Sequence, residues 1–378
     1  MSLWFSGSAV VPALSSEWRL SPSQVSWIAI AVQLGFVAGT LISATLNLPD
    51  IISTRHLFAV SAFLGAALNA SFGLYVHDPA TGILLRFAIG VCLAGVYPPG
   101  MKIMATWFRE RRGMALGVLV GALTLGKATP YLVNALGSAN WRSNVLFVSL
   151  LAAIGGLIVL FFIEDGPHAL PPAKFDVSQI VRVFGNRGVR LASFGYFGHM
   201  WELYAMWIWV PVMIRASLAT PDGAPRLVEF GSFLVIGAGT IGCVVAGLIA
   251  DRVGRTLVTS VAMAISGTCC LVIGFLFGGN PFVLLLVAAI WGATVVADSA
   301  QFSSCVTELG DPQYIGTALT IQMCIGFLLT TVSIELVPKV GDWRYAFMIL
   351  APGPLFGVIS MLRLRGLPEA VKIANGHR

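Results

Sequence analysis

The chain has 378 residues, 57% of them apolar and only 11% charged, with a formal net charge of +6. Soluble domains carry roughly 25% charged residues, so a water-soluble globule is excluded. The positive balance does not mark a nucleic-acid binder, because the basic residues fall in short segments between apolar runs and not on one polar face.

The first apolar run, Leu3 to Leu14, is shorter than the ~17–25 residues that span a bilayer. It has neither a basic leader nor a convincing cleavage site, which argues against a signal peptide. It reads as helix 1 lacking its first half, so part of any site on that helix is expected to be missing. Longer runs follow: helix 2 from about Val25 to Leu48, helix 3 from Leu57 to Val76, helix 4 from Ile83 to Thr106, helix 5 from Gly113 to Leu136 and helix 6 from Ser143 to Ile163. A polar segment, 164–190, holds Pro167, Pro171, Pro172, Lys174, Arg182, Arg187 and Arg190 and reads as a central linker. Helix 7 (Leu191 to Ile214), helix 8 (Phe230 to Ala250), helix 9 (Thr256 to Gly278), helix 10 (Pro281 to Cys305), helix 11 (Gly316 to Val337) and helix 12 (Tyr345 to Leu362) complete the series. The expected architecture is an all-α integral membrane protein of twelve transmembrane helices. Its parts are an N-terminal half over 1–163, the linker, a C-terminal half over 191–362 and a tail over 363–378.

The two halves repeat. Asp50 precedes helix 3 as Asp251 precedes helix 9, an offset of 201; Gly113 opens helix 5 as Gly316 opens helix 11, an offset of 203. Trp141-Arg142 precedes helix 6 as Trp343-Arg344 precedes helix 12, an offset of 202. Near-equal offsets at equivalent points indicate parallel six-helix repeats related by an axis along the membrane normal.

Between helices 8 and 9 lies a short charged loop, Gly247-Leu-Ile-Ala-Asp251-Arg252-Val-Gly254-Arg255. Too short to fold alone, it must brace two helix ends. Gly254 frees the backbone for a tight turn, Asp251 suits a helix N-terminus, and Arg252 and Arg255 mark the cytoplasmic side. The spacing Gly-x-x-x-Asp-Arg-x-Gly-Arg resembles the loop signature of the major facilitator superfamily, between the second and third helices of each half. The first copy, Leu48-Pro-Asp50-Ile-Ile-Ser-Thr-Arg55, keeps an acid and a base and lacks the glycines. The resemblance implies alternating access, the halves rocking around a midplane site lined by helices 1, 4, 7 and 10.

With both termini inside, the inner segments hold fourteen lysines and arginines and the outer loops six. The charge bias therefore expects cytoplasmic termini and a multi-pass protein of the plasma or inner membrane.

Ionisable groups inside a span cost ~2.5–3.5 kcal/mol each at the helix centre, so they are functional candidates. Arg86, in Leu85-Arg86-Phe-Ala-Ile-Gly90, resembles the family's second signature with Ile89 in place of the usual glutamine. Substrate contact and snorkelling to the outer interface are its two readings. Lys102, near the inner end of helix 4, is expected to snorkel. Lys127, some fourteen residues into helix 5, lies ~21 Å along it and faces the cavity or rises toward the outer side. The preceding Gly117-x-x-x-Gly121-x-x-x-x-Gly126 run suits close helix packing. It reproduces neither the glycine-proline signature of antiporter members nor that of the nitrate carriers.

On helix 7, His199 and Glu202 are three apart and share a face. Such a pair can exchange a proton near neutral pH, or serve only to lock two helices together. Asp298 and Gln301 share a face of helix 10, and the resemblance aims Asp298, Glu202 and Arg86 inward. Glu335, near the outer end of helix 11, is expected to reach water. Trp4, Trp201 and Trp207 are candidate stacking surfaces or packing residues. The six cysteines lie in or beside apolar runs without metal-ligand spacing, so no disulfide framework, metal or cofactor is expected.

The expectation is a monomeric secondary transporter in a lipid bilayer, taking up a small anion or zwitterion with protons. Arg86, Lys127, Trp201 and Gln301 would contact substrate; His199, Glu202 and Asp298 would carry the proton. Efflux of amphipathic compounds is the alternative within transport. A polytopic membrane enzyme is the alternative from another class, against which stands the absence of a recognisable nucleophile or metal motif.

Overall fold

The computed structural model describes residues 1–108, 112–137, 140–164, 166–168, 175–218 and 225–377. Arg109, Arg111, Pro171, Pro172, Lys174 and Arg378, counted above among linker and inner-segment residues, lie outside the described residues, as do the side chains of Asp50 and Arg112. Among the described residues all regular structure is helical.

Twelve long segments cross back and forth. The first half holds helix 1 (Ser2–Trp18), helix 2 (Pro22–Thr45), helix 3 (Thr54–Tyr75), helix 4 (Pro79–Ala94 and Tyr97–Trp107), helix 5 (Arg112–Ala135) and helix 6 (Trp141–Phe162). The second holds helix 7 (Arg187–Ser217), helix 8 (Pro225–Val253), helix 9 (Arg255–Val272), helix 10 (Pro281–Thr294 and Ser299–Leu309), helix 11 (Ile315–Leu336) and helix 12 (Trp343–Ala346, then Pro352–Arg365). Ten of these are long and apolar enough to cross a membrane. The others are the short helix 1 and helix 7, which carries His199 and Glu202 in mid-span.

Turns at the end remote from the linker use side-chain caps, which satisfy helix N–H groups that have no intrahelical partner. Ser21 and Gln24 form a reciprocal capping box at helix 2, and Asp78, Asn140, Asn280 and Asp342 cap helices 4, 6, 10 and 12. The outward faces of helices 3, 6, 9 and 12 expose Leu64, Phe161, Val261 and Leu355, as lipid contact requires.

Several expected limits are corrected. Helix 1 continues past Leu14 to Trp18, because Glu17 accepts from Arg142 Nη2 at 2.8 Å and from Trp141 Nε1 at 2.7 Å. Helix 7 begins at Arg187, capped by Asn186, so residues 187–190 belong to the span. Helices 4 and 10, expected to be continuous, break at equivalent places in the two halves. In helix 4, Pro98 and Pro99 open the second segment, where their missing N–H groups do least harm. In helix 10 the second segment opens after Asp298, whose carboxylate turns to helix 7.

The halves meet most extensively along helices 5 and 8, and again along helices 2 and 11. A Cβ on Gly117 would stand 2.6 Å from the carbonyl oxygen of Cys243, so only glycine permits this approach. One turn on, Thr240 Oγ1 donates to the Gly121 carbonyl at 3.0 Å.

Candidate functional site

At the linker end, the inner parts of helices 2, 4, 5, 10 and 11 leave a vestibule of about 340 Å³. Thr40, Asn47, Met101, Lys102, Thr307 and Met323 are among its lining residues. Ser303, Leu319 and Met323 also line a smaller cavity of about 40 Å³, so the two adjoin. The smaller cavity lies deeper, lined by residues of both halves.

Lys127 lines this inner cavity and is only 1% exposed. Its Nζ donates to Tyr204 Oη at 2.8 Å and lies 4.1 Å from the Trp207 ring centroid, 4.3 Å from that of Tyr204 and 5.1 Å from that of Trp4. Ring faces attract a cation electrostatically, so these neighbours suit a cationic side chain. Among the described residues no carboxylate lies within ion-pair distance of it. The rings around Lys127 also pack on one another and on Phe36. Trp4, Phe36, Tyr204 and Phe327, from helices 1, 2, 7 and 11, pack with centroid separations of 4.6 to 5.5 Å. Farther out, Asn134 of helix 5 donates to Glu229 of helix 8 at 3.3 Å, and Glu229 also pairs with Arg215.

The other expected site residues lie elsewhere. Arg86 is fully buried against helix 1, where it donates to the Leu3 carbonyl at 2.8 Å, to Ser6 Oγ at 3.2 Å and to the Trp4 carbonyl. It lines neither cavity and does not snorkel; three local acceptors hold it inside the first half. Lys102 does line the vestibule, with its Nζ donating to the Pro49 carbonyl at 2.7 Å. Trp201 lines neither cavity; its indole N–H donates to the Ile349 carbonyl at 3.1 Å, a tie to helix 12. Glu335 stands 3.8 Å from Lys339 at the remote end.

His199 and Glu202 do not pair with each other. His199 Nδ1 stands 2.8 Å from Asp298 Oδ1, both groups 1% exposed. Glu202 turns to helices 9 and 10, where its Oε2 accepts from Ser266 Oγ at 2.9 Å and its Oε1 from Cys270 Sγ at 3.1 Å and Trp291 Nε1 at 2.5 Å. Buried carboxylates go where donors are, and here the donors lie within the second half. Arg86, Glu202 and Asp298, expected to aim inward, line neither the vestibule nor the smaller cavity.

Gln301 belongs to the loop network. Its Oε1 accepts from Arg255 Nη1 at 2.7 Å, while Arg255 Nη2 and Nε reach Glu308 Oε1 at 2.8 and 3.2 Å. Asp251 stands 3.2 Å from Arg255 and accepts the backbone N–H of Met114 at 3.3 Å. Gly254, at φ +103°, makes the turn into helix 9, and a Cβ on Gly247 would meet the Gly113 carbonyl at 2.7 Å. Arg252 is exposed. The loop thus ties helices 8, 9 and 10 to the start of helix 5 in the other half.

Sequence reasoning missed Tyr97, Tyr196, Ser299, Gln322 and Phe327 as lining residues of the inner cavity. Gln322 carried a usable signal, an amide in the middle of an apolar span.

The sequence profile described as the Major Facilitator Superfamily matches residues 1–334. A Bacillus subtilis protein named as a candidate niacin/nicotinamide transporter is 24% identical over 213 residues, covering 54% of this chain and 52% of its own length. A Thermus thermophilus protein named for nitrate/nitrite antiport is 25% identical over 289 residues, covering 68% and 63%. The hexuronate transporter of Escherichia coli is 22% identical over 395 positions, covering 95% of this chain and 87% of its own. The matches thus span about half to nearly two thirds of the length of the first two relatives. With twelve helices in two equivalent sets and the loop signature in place, the chain is a multi-pass membrane protein and belongs to the Major Facilitator Superfamily.

Proposed function

We propose that this chain transports a small anion by alternating access, with Lys127 as the counter-ion at the midplane. The observation that carries the reading is a buried lysine in a cavity beside an open vestibule, with aromatic neighbours and no carboxylate partner among the described residues. A charge held there without an ionic partner is poised for an anionic ligand, because an unpaired buried charge is costly. The names of the relatives support the same class, since nitrate and hexuronate are anions and niacin is one at neutral pH. They also point to a transporter and away from a membrane enzyme.

The basic residues of the linker end read that end as cytoplasmic, with the chain a monomer in the cell membrane. On this orientation the conformation is inward-open: vestibule toward the cytoplasm, and the Asn134–Glu229–Arg215 contacts of helices 5, 8 and 7 closing the outside. Coupling protons would be carried by Glu202 and by the His199–Asp298 pair, inside the second half and separate from the anion. Rocking of the halves against each other links the two.

Proteoliposomes under an imposed pH gradient test this, with proton movement recorded as small anions, zwitterions and lipophilic cations are added. Proton influx with an anion, lost in Lys127→Met and partly kept in Lys127→Arg, is the expected result. Proton movement with lipophilic cations alone, unaffected by Lys127→Met, would replace the reading with efflux of amphipathic compounds.

A further inference from the structure

Resting on the anion reading, we propose that the ligand is a planar aromatic monocarboxylate, its carboxylate in the small cavity at Lys127 and its ring reaching past the aromatic lining into the adjoining vestibule of about 340 Å³. Charge comes first. Lys127 is the one lysine or arginine side chain among the described residues lining that cavity, and it matches one carboxylate.

Hydrogen bonding comes second. Trp4 Nε1, Trp207 Nε1 and Gln322 Nε2 are buried without a hydrogen-bond partner, and all three residues line the same cavity. Each of these nitrogens can only donate. Three idle donors around one ammonium describe a surface short of acceptors, and a carboxylate brings two acceptor oxygens with about four lone-pair sites.

The walls come third. Trp4, Tyr97, Tyr196, Tyr204, Trp207 and Phe327 line the cavity, and no aspartate, glutamate or asparagine does among the described residues. A sugar acid presents many hydroxyls and little flat apolar surface, and most of this lining is aromatic or aliphatic. Nitrate would use the charge and leave the rings without a purpose. A flat aromatic body uses both, entering through the vestibule that shares Ser303, Leu319 and Met323 with the site.

The test is equilibrium binding of radiolabelled benzoate and nicotinate to the purified chain in lipid nanodiscs, with competition by unlabelled compounds. Cyclohexanecarboxylate keeps the charge and loses the flat ring; benzamide keeps the ring and loses the charge; isophthalate adds a second charge; glucuronate and nitrate stand for the other anion classes. Benzoate or nicotinate should bind, with cyclohexanecarboxylate at least ~5-fold weaker, the scale of one to two good ring contacts, and benzamide and isophthalate weaker still. Gln322→Leu should weaken binding several-fold and Lys127→Met should abolish it, both variants eluting as single symmetric species. Lys127→Arg, which keeps the charge, should retain part of the binding. Equal competition by cyclohexanecarboxylate, or binding of glucuronate or nitrate with none of the aromatic acids, would overturn the substrate class and leave the anion reading standing. Failure of every anion to bind the well-folded chain would overturn both.

Discussion

Asp251, at the end of helix 8, accepts the backbone N–H of Met114, 137 residues earlier at the start of helix 5 in the opposite half. A carboxylate beside a helix N-terminus is favourable because the first N–H groups lack partners and the helix dipole is positive there. Here the arrangement crosses the boundary between the halves, and Arg255 at 3.2 Å keeps the carboxylate oriented. Arg255 is itself held by Glu308 and Gln301, so the loop binds three helices of its own half to one helix of the other.

Asp251→Ala is expected to destabilise the protein by about 1 kcal/mol, the usual cost of removing a helix-capping acceptor. Asp251→Asn retains an acceptor oxygen and should cost less. Thermal unfolding in detergent, followed by tryptophan fluorescence, would rank the three proteins. An order in which Asn is no better than Ala would mean that the Arg255 contact, and not the Met114 N–H, is what matters.

Helix identity and repeat symmetry were legible in the sequence because a span needs about twenty apolar residues, and an internal duplication leaves equal offsets. The loop residues Gly247, Asp251 and Arg255 were legible for a similar reason, since a short turn admits few solutions. Side-chain direction was not. Arg86 and Lys127 are both lone cations in apolar helices, and sequence alone treats them alike. Rotation and tilt decide that one meets helix 1 carbonyls and the other the inner cavity. His199 and Glu202 share a face by spacing, yet their partners come from helices 9 and 10, whose packing no local pattern reports. The break in helix 4 did have a local sign, Pro98-Pro99, outweighed by the apolar run around it.

Gly117 and Gly155 make a controlled comparison of crowding. At Gly117 a Cβ would stand 2.6 Å from the Cys243 carbonyl across the boundary between the halves, and at Gly155, on helix 6, nothing lies within 4 Å. Gly117→Ala should lower stability by about 1–3 kcal/mol, as overpacking does, and should slow any motion that needs helices 5 and 8 to stay in contact. Gly155→Ala should be neutral or stabilising by up to about 1 kcal/mol, since alanine is the better helix former. Thermal midpoints of the two variants against the parent check this; equal midpoints would show that helices 5 and 8 leave room for a methyl group at Gly117.

Glu202→Gln separates proton coupling from binding because the replacement fits the same partners. A glutamine Oε1 can accept from Trp291 and Cys270 as the carboxylate does. The amide nitrogen can donate to Ser266 Oγ, whose own hydroxyl can turn to the Met263 carbonyl at 3.2 Å. The fold should therefore survive with a change within about 1 kcal/mol, the usual scale of a single hydrogen-bond rearrangement, while the site can no longer gain or lose a proton. Anion exchange without a gradient should persist, since Lys127 and its cavity are untouched. Accumulation driven by a pH gradient should fall at least ~10-fold, the loss expected when a coupling step is removed. Parallel counterflow and gradient-driven uptake in one preparation of proteoliposomes would decide it. If the variant keeps its full response to the gradient, Glu202 is a structural tie between helices 7, 9 and 10, and the His199–Asp298 pair becomes the group to replace next.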